Sequence, residues 1–438
     1  PAPATPAPAA AAAPAPEAAP PGPKPSLTPS LEYYIRGQSR FNANLDPVSG
    51  DRRHDLVQRV RLGVLGAYGP VSAFVQMQDV RQWGFEPSTT SNDGNTDLHQ
   101  GYLDVAGERG DRRGYVRVGR QEINIGDGRF IANRNWNTQA QSFDALRLHG
   151  EAGRFTGDAA VFMLAPPRDF TVADPGGDPA LDQTIHTRGT YAGFVNLNGK
   201  FHRAIEADLL ALGASERPTP AAPTNNRDII MAGLRLHGEP LKGFIYDVQG
   251  YGQGGKNQGL RHQAWAALAG VGYTADHRLR PGTLIRYAYA TGQACTGDPS
   301  TGCNNTTSTE FYRFYGLRHA YYGLMDQVAL SNLRELEAQA FMTPHETLSL
   351  NLSYHFFQLD QASGRWQNGP DQNVGRVFDP TNTDRNLGQE IDFVANWRPW
   401  KQLMIQPGYG VFLPMGAARL LQNSAPQHFA YLWIIAQF

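Results

Sequence analysis

The chain has 438 residues, and its 39 lysines and arginines nearly balance its 40 aspartates and glutamates, for a formal net charge of -1. This balance excludes bulk attraction to nucleic acid, so we expect no nucleic-acid partner. The best apolar run, 264–273, falls well short of the roughly 18 residues that a membrane helix needs, which excludes a helical membrane protein. The composition does not exclude a transmembrane β-barrel. In such a barrel only alternate strand residues face lipid, so the mean hydropathy can be as low as -0.44.

The N-terminal segment, 1–29, consists almost entirely of proline and alanine. Such a segment cannot bury a core, so we predict a disordered or polyproline-like tether, followed by one folded domain over 30–438. The chain opens on Pro1 and shows no signal peptide, which we interpret as a processed or recombinant N-terminus. We expect the tether to lie in the periplasm, where it could reach an export partner.

From Ser30 onward, apolar residues recur with a period of two, which is typical of β-strands. Between 347 and 356, for example, Leu350 and Leu352 alternate with Asn351 and Ser353. In chain order, this pattern predicts eighteen strands: 31–42, 55–67, 71–82, 96–107, 113–123, 142–150, 155–165, 187–199, 202–213, 227–238, 242–252, 260–274, 279–291, 329–342, 345–358, 386–398, 402–412 and 428–438.

The predicted connections alternate between short and long. The short ones carry the Gly, Pro, Asn or Asp of tight turns and cover 67–70, 107–112, 150–154, 198–201, 238–242, 274–278, 343–346 and 398–401. The long ones cover 43–54, 83–95, 124–141, 166–186, 214–226, 253–259, 292–328, 359–385 and 413–427. Outer-membrane barrels sort their connections in this way, with short turns in the periplasm and long loops outside.

We therefore predict an all-β fold, a transmembrane antiparallel up-and-down β-barrel of about 18 strands, integral to the bacterial outer membrane. An even number of strands closes the sheet and leaves no edge unpaired in lipid. A soluble β-propeller or β-helix is the alternative, but a propeller needs a repeat of about 40–50 residues, which we do not find.

The last strand, 428–438, ends on Phe438, and a terminal aromatic on such a strand resembles the assembly signal of outer-membrane barrels. We expect it to engage the barrel assembly machinery and then to pair with the first strand. Alternation directs Leu432 toward lipid and turns Tyr431, Trp433 and Ile435 inward. These three side chains are apolar for a wet lumen, so we expect the seam to pack against something, such as an inserted loop.

Eighteen strands enclose a water-filled channel rather than a packed core. The arginines predicted to face it are Arg36, Arg40, Arg59, Arg61, Arg117, Arg147, Arg235 and Arg286, and the acids are Glu32, Asp104, Glu206, Asp208, Asp247, Glu335, Glu337, Glu390 and Asp392. Two interpretations stay open. The charges can form ion-pair ladders that stiffen the wall, or the arginines can line a path for an anionic solute while the acids order them.

Cys295 and Cys303 are separated by seven residues rich in turn formers. This spacing predicts a small loop disulfide in an oxidising compartment, although two free thiols are the alternative. No further cysteine or neighbouring histidine indicates a metal site. The G-x-G-x-x-G pattern at 250–255 precedes no helix, so we set dinucleotide binding aside.

The loops 93–97 and 379–384 are rich in Asp and Asn and could supply oxygen ligands to calcium. Such loops are usually structural, so we predict no cofactor, with loop-bound calcium as the one alternative. No Gly-x-Ser-x-Gly elbow or other catalytic constellation is present, and we predict no enzymatic activity.

Two segments carry a family resemblance. Residues 118–148 read V-G-R-Q-E-I-N-I-G-D-G-R-F-I-A-N-R-N-W-N-T-Q-A-Q-S-F-D-A-L-R-L, and residues 319–326 read H-A-Y-Y-G-L-M-D. They resemble the signature of the alginate export family of outer-membrane porins. The matching residues are Gly119, Arg120, Gln121, Gly126, Asp127, Arg129, Trp136, Ser142, Phe143, Asp144, Arg147, His319, Tyr322, Gly323 and Asp326.

The resemblance implies an eighteen-stranded barrel that passes an anionic polysaccharide through an arginine-rich constriction. It also implies that Arg120, Arg129 and Arg147 lie at or near the pore, and we predict that Asp144 lines the same path. Strict alternation instead turns Arg120 toward lipid, so either a β-bulge intervenes or Arg120 lies above the membrane, and we favour the latter. The segment 124–141 is long, polar and rich in Arg and Asn, so we expect it to fold into the lumen; an exposed loop is the alternative.

Three hypotheses about function follow. The first is a channel that passes an anionic or sugar-like solute, most of all a secreted exopolysaccharide, by passive diffusion along an arginine-lined lumen. The second is a general or small-molecule porin. The third is a structural or adhesive barrel without transport, whose loops 292–328 and 359–385 bind partners.

Overall fold

The computed structural model describes residues 25–45, 51–84, 94–173, 177, 179–220, 223–298, 303–370 and 372–438. The predicted tether therefore lies almost wholly outside the described residues. Its last residues do not belong to a tether, because the first strand already begins at Ser26 rather than at the predicted boundary near Ser30.

Eighteen antiparallel strands form one barrel in chain order. They are β1 (Ser26–Phe41), β2 (Arg52–Tyr68), β3 (Val71–Trp83), β4 (Gly94–Arg109), β5 (Arg112–Gln121), β6 (Phe143–Ala152), β7 (Phe155–Ala165), β8 (Thr190–His202), β9 (Ile205–Glu216), β10 (Arg227–Leu241), β11 (Phe244–Asn257), β12 (Leu260–Thr274), β13 (Gly282–Ala290), β14 (Leu333–His345), β15 (Leu348–Leu359), β16 (Asn386–Trp400), β17 (Leu403–Pro414) and β18 (Gln427–Gln437).

The barrel closes between its first and last strands. β18 pairs with β1 in a register that runs from Glu32 opposite Gln437 to Phe41 opposite His428. Below this ladder, Leu31 and Phe438 exchange two main-chain hydrogen bonds of 2.9 and 2.8 Å. The closure gives the two edge strands hydrogen-bond partners, which lipid could not provide. It confirms the predicted eighteen-stranded barrel.

The two faces of the wall follow the alternation in the sequence. On β2, Leu62 and Val64 are about half exposed on the outer face, whereas Arg59 and Arg61 point inward and are buried. On β18, Tyr431, Trp433 and Ile435 are buried inside and Leu432 is exposed outside, as predicted. Among the described residues, no helix has the length and apolar character to cross a membrane.

The two ends of the barrel differ as predicted. At one end, two-residue turns connect the strands at 69–70, 110–111, 153–154, 203–204, 242–243, 346–347 and 401–402, and only the connection 275–281 is longer. At the other end most connections are long. The loop 166–189 carries a small hairpin, Arg168–Val172 with Gln183–Thr187, and the last loop carries a short helix, Gly416–Leu421.

The prediction of a long loop at 253–259 is wrong. Residues 253–257 extend β11, which pairs with β12 as far as Asn257 opposite Leu260 and leaves a turn of only two residues. The glycines of this segment suggested a loop, but neighbouring strands on both sides supply its hydrogen bonds. A smaller difference occurs at β14, which begins at Leu333 because residues 329–332 still belong to the preceding loop.

Candidate functional site

Two long loops enter the lumen and join there. The first inward loop, 122–142, connects β5 to β6, and the second inward loop, 291–332, connects β13 to β14. Tyr315 N donates to Phe130 O at 2.9 Å, and Leu317 N donates to Gly128 O at 2.8 Å. These hydrogen bonds unite the two loops into one body, which we call the plug. The expectation that 124–141 folds inward is therefore correct.

An aromatic cluster holds the plug against the wall. Phe130 lies with its ring centroid 4.5 Å from that of Tyr251 on β11 and 6.1 Å from that of Phe311. Phe143 at the start of β6 contacts Tyr315 from the other side. Because these rings are buried, they exclude water from this part of the lumen.

Arginines on the first strands bind the main chain of the first inward loop. Arg59 donates through Nη1 to Asn135 O at 3.2 Å and to Asn137 O at 3.1 Å. Arg36 donates to Trp136 O at 2.8 Å. Loop carbonyls buried inside a barrel need such donors, because water reaches them poorly.

Carboxylates on β16 hold the second inward loop in the same way. Leu324 N donates to Asp392 Oδ2 at 3.0 Å, and Met325 N donates to Glu390 Oε1 at 2.8 Å. Gly323 between Tyr322 and Leu324 has a φ of +86°, and a Cβ at this position would overlap the Glu390 carboxylate. The backbone conformation, which residues with a side chain rarely adopt, thus requires the glycine of the second motif.

Arg129 lies at the junction of the two loops. Its guanidinium stacks 3.8 Å from the ring centroid of Tyr321, donates to the Tyr322 hydroxyl at 2.5 Å and pairs with Asp127 at 3.2 Å. Tyr321 in turn donates its hydroxyl to Asp127 O at 2.7 Å. The junction is therefore built by residues from both family motifs.

The seam of the barrel packs against the plug through Trp136. Its ring stacks on His319 at a centroid distance of 3.7 Å and meets Trp433 edge-on at 5.1 Å. His319 also lies 3.1 Å from Asp326, which pairs with Arg40 at 3.8 Å. This contact explains why the inward residues of β18 are apolar, and it brings all three predicted loop-motif residues into the plug.

Most predicted lumen arginines face the interior and pair with carboxylates. The pairs are Arg59 with Glu32 at 2.9 Å, Arg61 with Glu122 at 3.2 Å, Arg117 with Asp104 at 2.7 Å, Arg147 with Asp158 at 2.5 Å, Arg235 with Asp247 at 2.6 Å and Arg286 with Glu337 at 2.5 Å. Arg36 instead stacks over Trp136 at 3.9 Å. This arrangement favours ion-pair ladders in much of the wall.

Arg120 and Asp144 do not face the interior. They pair with each other at 2.8 Å on the outer face, next to Val118 and Leu146, which are about half exposed. Asp97 lies 3.5 Å from Arg120 at the long-loop end of the same face. The pore position that the resemblance implied for these two residues is therefore wrong, because the alternation of β5 and β6 turns both side chains outward.

Sequence reasoning missed Glu122, which directly follows β5 inside the barrel. Its carboxylate lies 2.6 Å from His99 Nε2 and accepts a hydrogen bond from Asn133 at 2.8 Å. Burial alone would raise the pKa of Glu122, but His99, Arg61 and Asn133 outweigh burial and lower that pKa to about 2. Its position directly after the Gly-Arg-Gln strand end is the one sequence signal from which Glu122 could have been predicted.

Low pH is expected to weaken the contacts through which Glu122 holds the first inward loop. A lowered pKa contributes stability above the unfolded value of 4.5 and loses it as the pH falls toward about 2. We expect the free energy of unfolding to fall by about 3 kcal/mol over this pH window. In the Glu122→Gln variant we expect a smaller fall. Urea unfolding in lipid vesicles between pH 6 and 2 measures the difference; identical pH profiles for both proteins would contradict the role of Glu122.

Two cavities lie below the plug, toward the short-turn end. One, of about 360 Å³, is lined by residues that include Arg235, Asp247 and Arg286. The other is narrower and includes Trp136, His319 and Trp433. Arg286, Tyr321, Tyr322 and Glu337 border both cavities, so these four side chains separate them.

The remaining predicted sites are the disulfide, in the second inward loop, and the two candidate calcium loops. Cys295 and Cys303 form a disulfide with a Cα–Cα distance of 4.9 Å, the pairing that the spacing predicts. In 379–384, Asp379 accepts hydrogen bonds from Thr381 N and Oγ1, a local turn pattern, so calcium there stays a prediction. Asp93 of the other calcium candidate lies outside the described residues.

Solved structures share this fold at low sequence identity. Acinetobacter baumannii OccAB1 has a TM-score of 0.60 at 11% identity, covering 94% of this chain and 96% of that one. OccAB2 of the same organism has a TM-score of 0.59 at 11% identity, covering 94% and 98%. Pseudomonas aeruginosa OprD has a TM-score of 0.57 at 11% identity, covering 94% and 95%. At these identities the likeness shows the fold alone.

No curated protein matches the chain. The family model described as "Alginate export" matches residues 26–433, from the first residue of β1 into the last strand. Both motifs that build the plug lie inside the match. The closed barrel and this nearly complete match identify an outer-membrane channel protein, integral to that membrane, and the chain belongs to the alginate export family.

Proposed function

We propose that the channel passes an anionic, sugar-like solute by passive diffusion, and that the solute is a secreted exopolysaccharide. The observation that carries the proposal is the orientation of the Arg286–Glu337 pair between the two cavities. The Arg286 side chain is 20% exposed, whereas the Glu337 side chain is 3% exposed. Both residues border both cavities, and the arginine is the more exposed of the two.

Aromatic rings beside the cations support a sugar-like solute. Trp136, His319 and Trp433 line one cavity and Tyr321 and Tyr322 line both. Flat rings contact the C–H faces of sugars, while a guanidinium fork binds carboxylates through paired hydrogen bonds. A carboxylated sugar offers both kinds of contact at once.

A second candidate is a porin for small molecules. The larger cavity holds about 360 Å³, which lies in the range of small-molecule sites, and the plug occupies much of the remaining lumen. This observation favours a monosaccharide-sized anion over a polymer, but it keeps the same charge preference at Arg286.

Reversal potentials of single channels in a KCl gradient test the charge preference. We expect the wild-type channel to prefer anions, and Arg286→Gln to lose this preference because Glu337 then lacks its cation. Arg113→Gln is the matched control, since Arg113 also pairs with a carboxylate but lies exposed near the turn at 110–111. A wild-type channel that prefers cations would overturn the proposal.

Liposome swelling separates the candidate solutes. We expect faster swelling with uronic-acid oligosaccharides than with neutral oligosaccharides of equal length if the channel exports a polysaccharide. Entry of single uronic acids without their oligomers supports the small-molecule porin. Absence of any conductance favours the structural or adhesive barrel.

A further inference from the structure

Four carboxylates and one imidazole meet on the inner wall next to the second inward loop. They are Glu335 and Glu337 on β14, His355 on β15, and Glu390 and Asp392 on β16, and all five are buried. The strand register brings them together, because Glu337 is opposite His355 and His355 is opposite Glu390.

The imidazole lies at the centre of this cluster. His355 Nδ1 is 2.8 Å from Glu335 Oε1, and His355 Nε2 is 3.4 Å from Asp392 Oδ2 and 4.0 Å from Glu337 Oε1. One ligand atom each from Glu335, Glu337 and His355 lies within 4.8 Å of the others. Small shifts of flexible glutamate side chains would bring these atoms to metal-ligand distances.

The charges of the cluster do not balance. Arg286 pairs with Glu337, and His355 adds no positive charge when it is the neutral imidazole that a metal ligand has to be. The nearby Arg40 is already paired with Asp326 on the loop, and Arg129 with Asp127. Four buried carboxylates against one guanidinium leave an excess of negative charge, and buried charges without compensation are costly.

Two oxygens of the cluster also lack a donor. Glu390 Oε2 and Asp392 Oδ1 are buried without a hydrogen-bond partner among the described residues, and their residues are 0% and 3% exposed. Each carboxylate uses its other oxygen to accept a hydrogen bond from the loop main chain. Buried polar atoms are normally hydrogen-bonded, so a shared proton, a water molecule or an ion has to satisfy these two oxygens.

We propose that this cluster binds one divalent metal ion, with Glu335, Glu337 and His355 as ligands and Asp392 beside them. A single divalent cation offsets two of the negative charges. A donor set of carboxylates with an imidazole suits Zn²⁺ better than Mg²⁺, which prefers oxygen ligands alone. The two cavities give an ion access, since Glu335 borders one and His355 borders the other.

The bound ion stiffens the plug. Asp392, which lies beside the proposed ligands, accepts a hydrogen bond from Leu324 N of the second inward loop, so a cation that fixes Asp392 also fixes this part of the loop. This role does not depend on which solute the channel passes.

Zn²⁺ binding to the refolded full chain in detergent, after chelator treatment, tests the site by titration calorimetry. We expect one Zn²⁺ per chain, and a loss of affinity of at least about tenfold in Glu335→Gln and in His355→Gln. His149→Gln is the matched control, because His149 also lies between two carboxylates, Asp158 and Glu151, but guanidiniums of Arg147 and Arg113 already balance them.

Binding that all three variants retain equally would overturn the site, as would the absence of one-to-one binding in the wild type. If a variant fails to fold, X-ray absorption of the Zn²⁺-loaded wild type decides instead. We expect one imidazole nitrogen and several carboxylate oxygens around the zinc; a shell of two or more imidazoles contradicts the assignment.

Discussion

Replacing Tyr321 and Tyr322 together with alanine is expected to raise the single-channel conductance several-fold. These two rings lie on the boundary between the cavities below the plug. Tyr321 supports Arg129 by stacking and holds Asp127 O through its hydroxyl. Their removal merges the cavities and widens the narrow part of the path, and the narrowest part of a pore dominates its resistance.

The matched control is the double variant Tyr68→Ala with Tyr191→Ala, which removes two tyrosine rings from the outer face, where both are exposed. We expect its conductance in planar bilayers to equal that of the wild type. An unchanged conductance in a correctly folded Tyr321→Ala, Tyr322→Ala channel would show that the restriction lies elsewhere.

Replacing Arg117 with alanine is expected to destabilise the barrel by about 3–5 kcal/mol, the usual cost of leaving one partner of a buried ion pair alone. Arg117 donates Nε and Nη2 to the two oxygens of Asp104, both at 2.7 Å, and its guanidinium stacks 3.8 Å from the Tyr102 ring centroid. The side chains of Arg117 and Asp104 are each only 2% exposed, so water cannot replace the lost partner.

Urea unfolding in lipid vesicles measures this cost. Arg113→Ala on the same strand is the control, because its pair with Glu151 is exposed and such pairs contribute about 1 kcal/mol or less. The double variant Arg117→Ala with Asp104→Ala should lose less stability than Arg117→Ala alone. Equal losses in Arg117→Ala and Arg113→Ala would contradict the importance of burial.

The sequence predicts the wall of the barrel well, because a local rule determines it. Alternation places Arg59 inside and Leu62 outside without reference to distant residues. The same rule holds for Arg120, whose family motif suggested a pore position although its strand turns it outward. The alternation rule fails at 253–259, because the glycines there leave no apolar pattern. The strand is recognised only from its pairing with the neighbouring strands.

The interior could be predicted only in part, since its contacts join residues far apart in the chain. The polar length of 124–141 indicated an inward loop, but nothing in it points to Gly128 and Phe130 as partners of Leu317 and Tyr315. The pairing of individual arginines with individual acids likewise depends on strand register, which becomes known only with the fold.

The contact between Trp136 and Trp433 has a consequence for how the barrel closes. β18 pairs with β1, and its Trp433 packs edge-on against the loop tryptophan, while Arg36 on β1 holds the carbonyl of the same residue. Both strands of the seam therefore bind one residue of the first inward loop. We expect closure of the wall and docking of the 122–142 segment to stabilise each other.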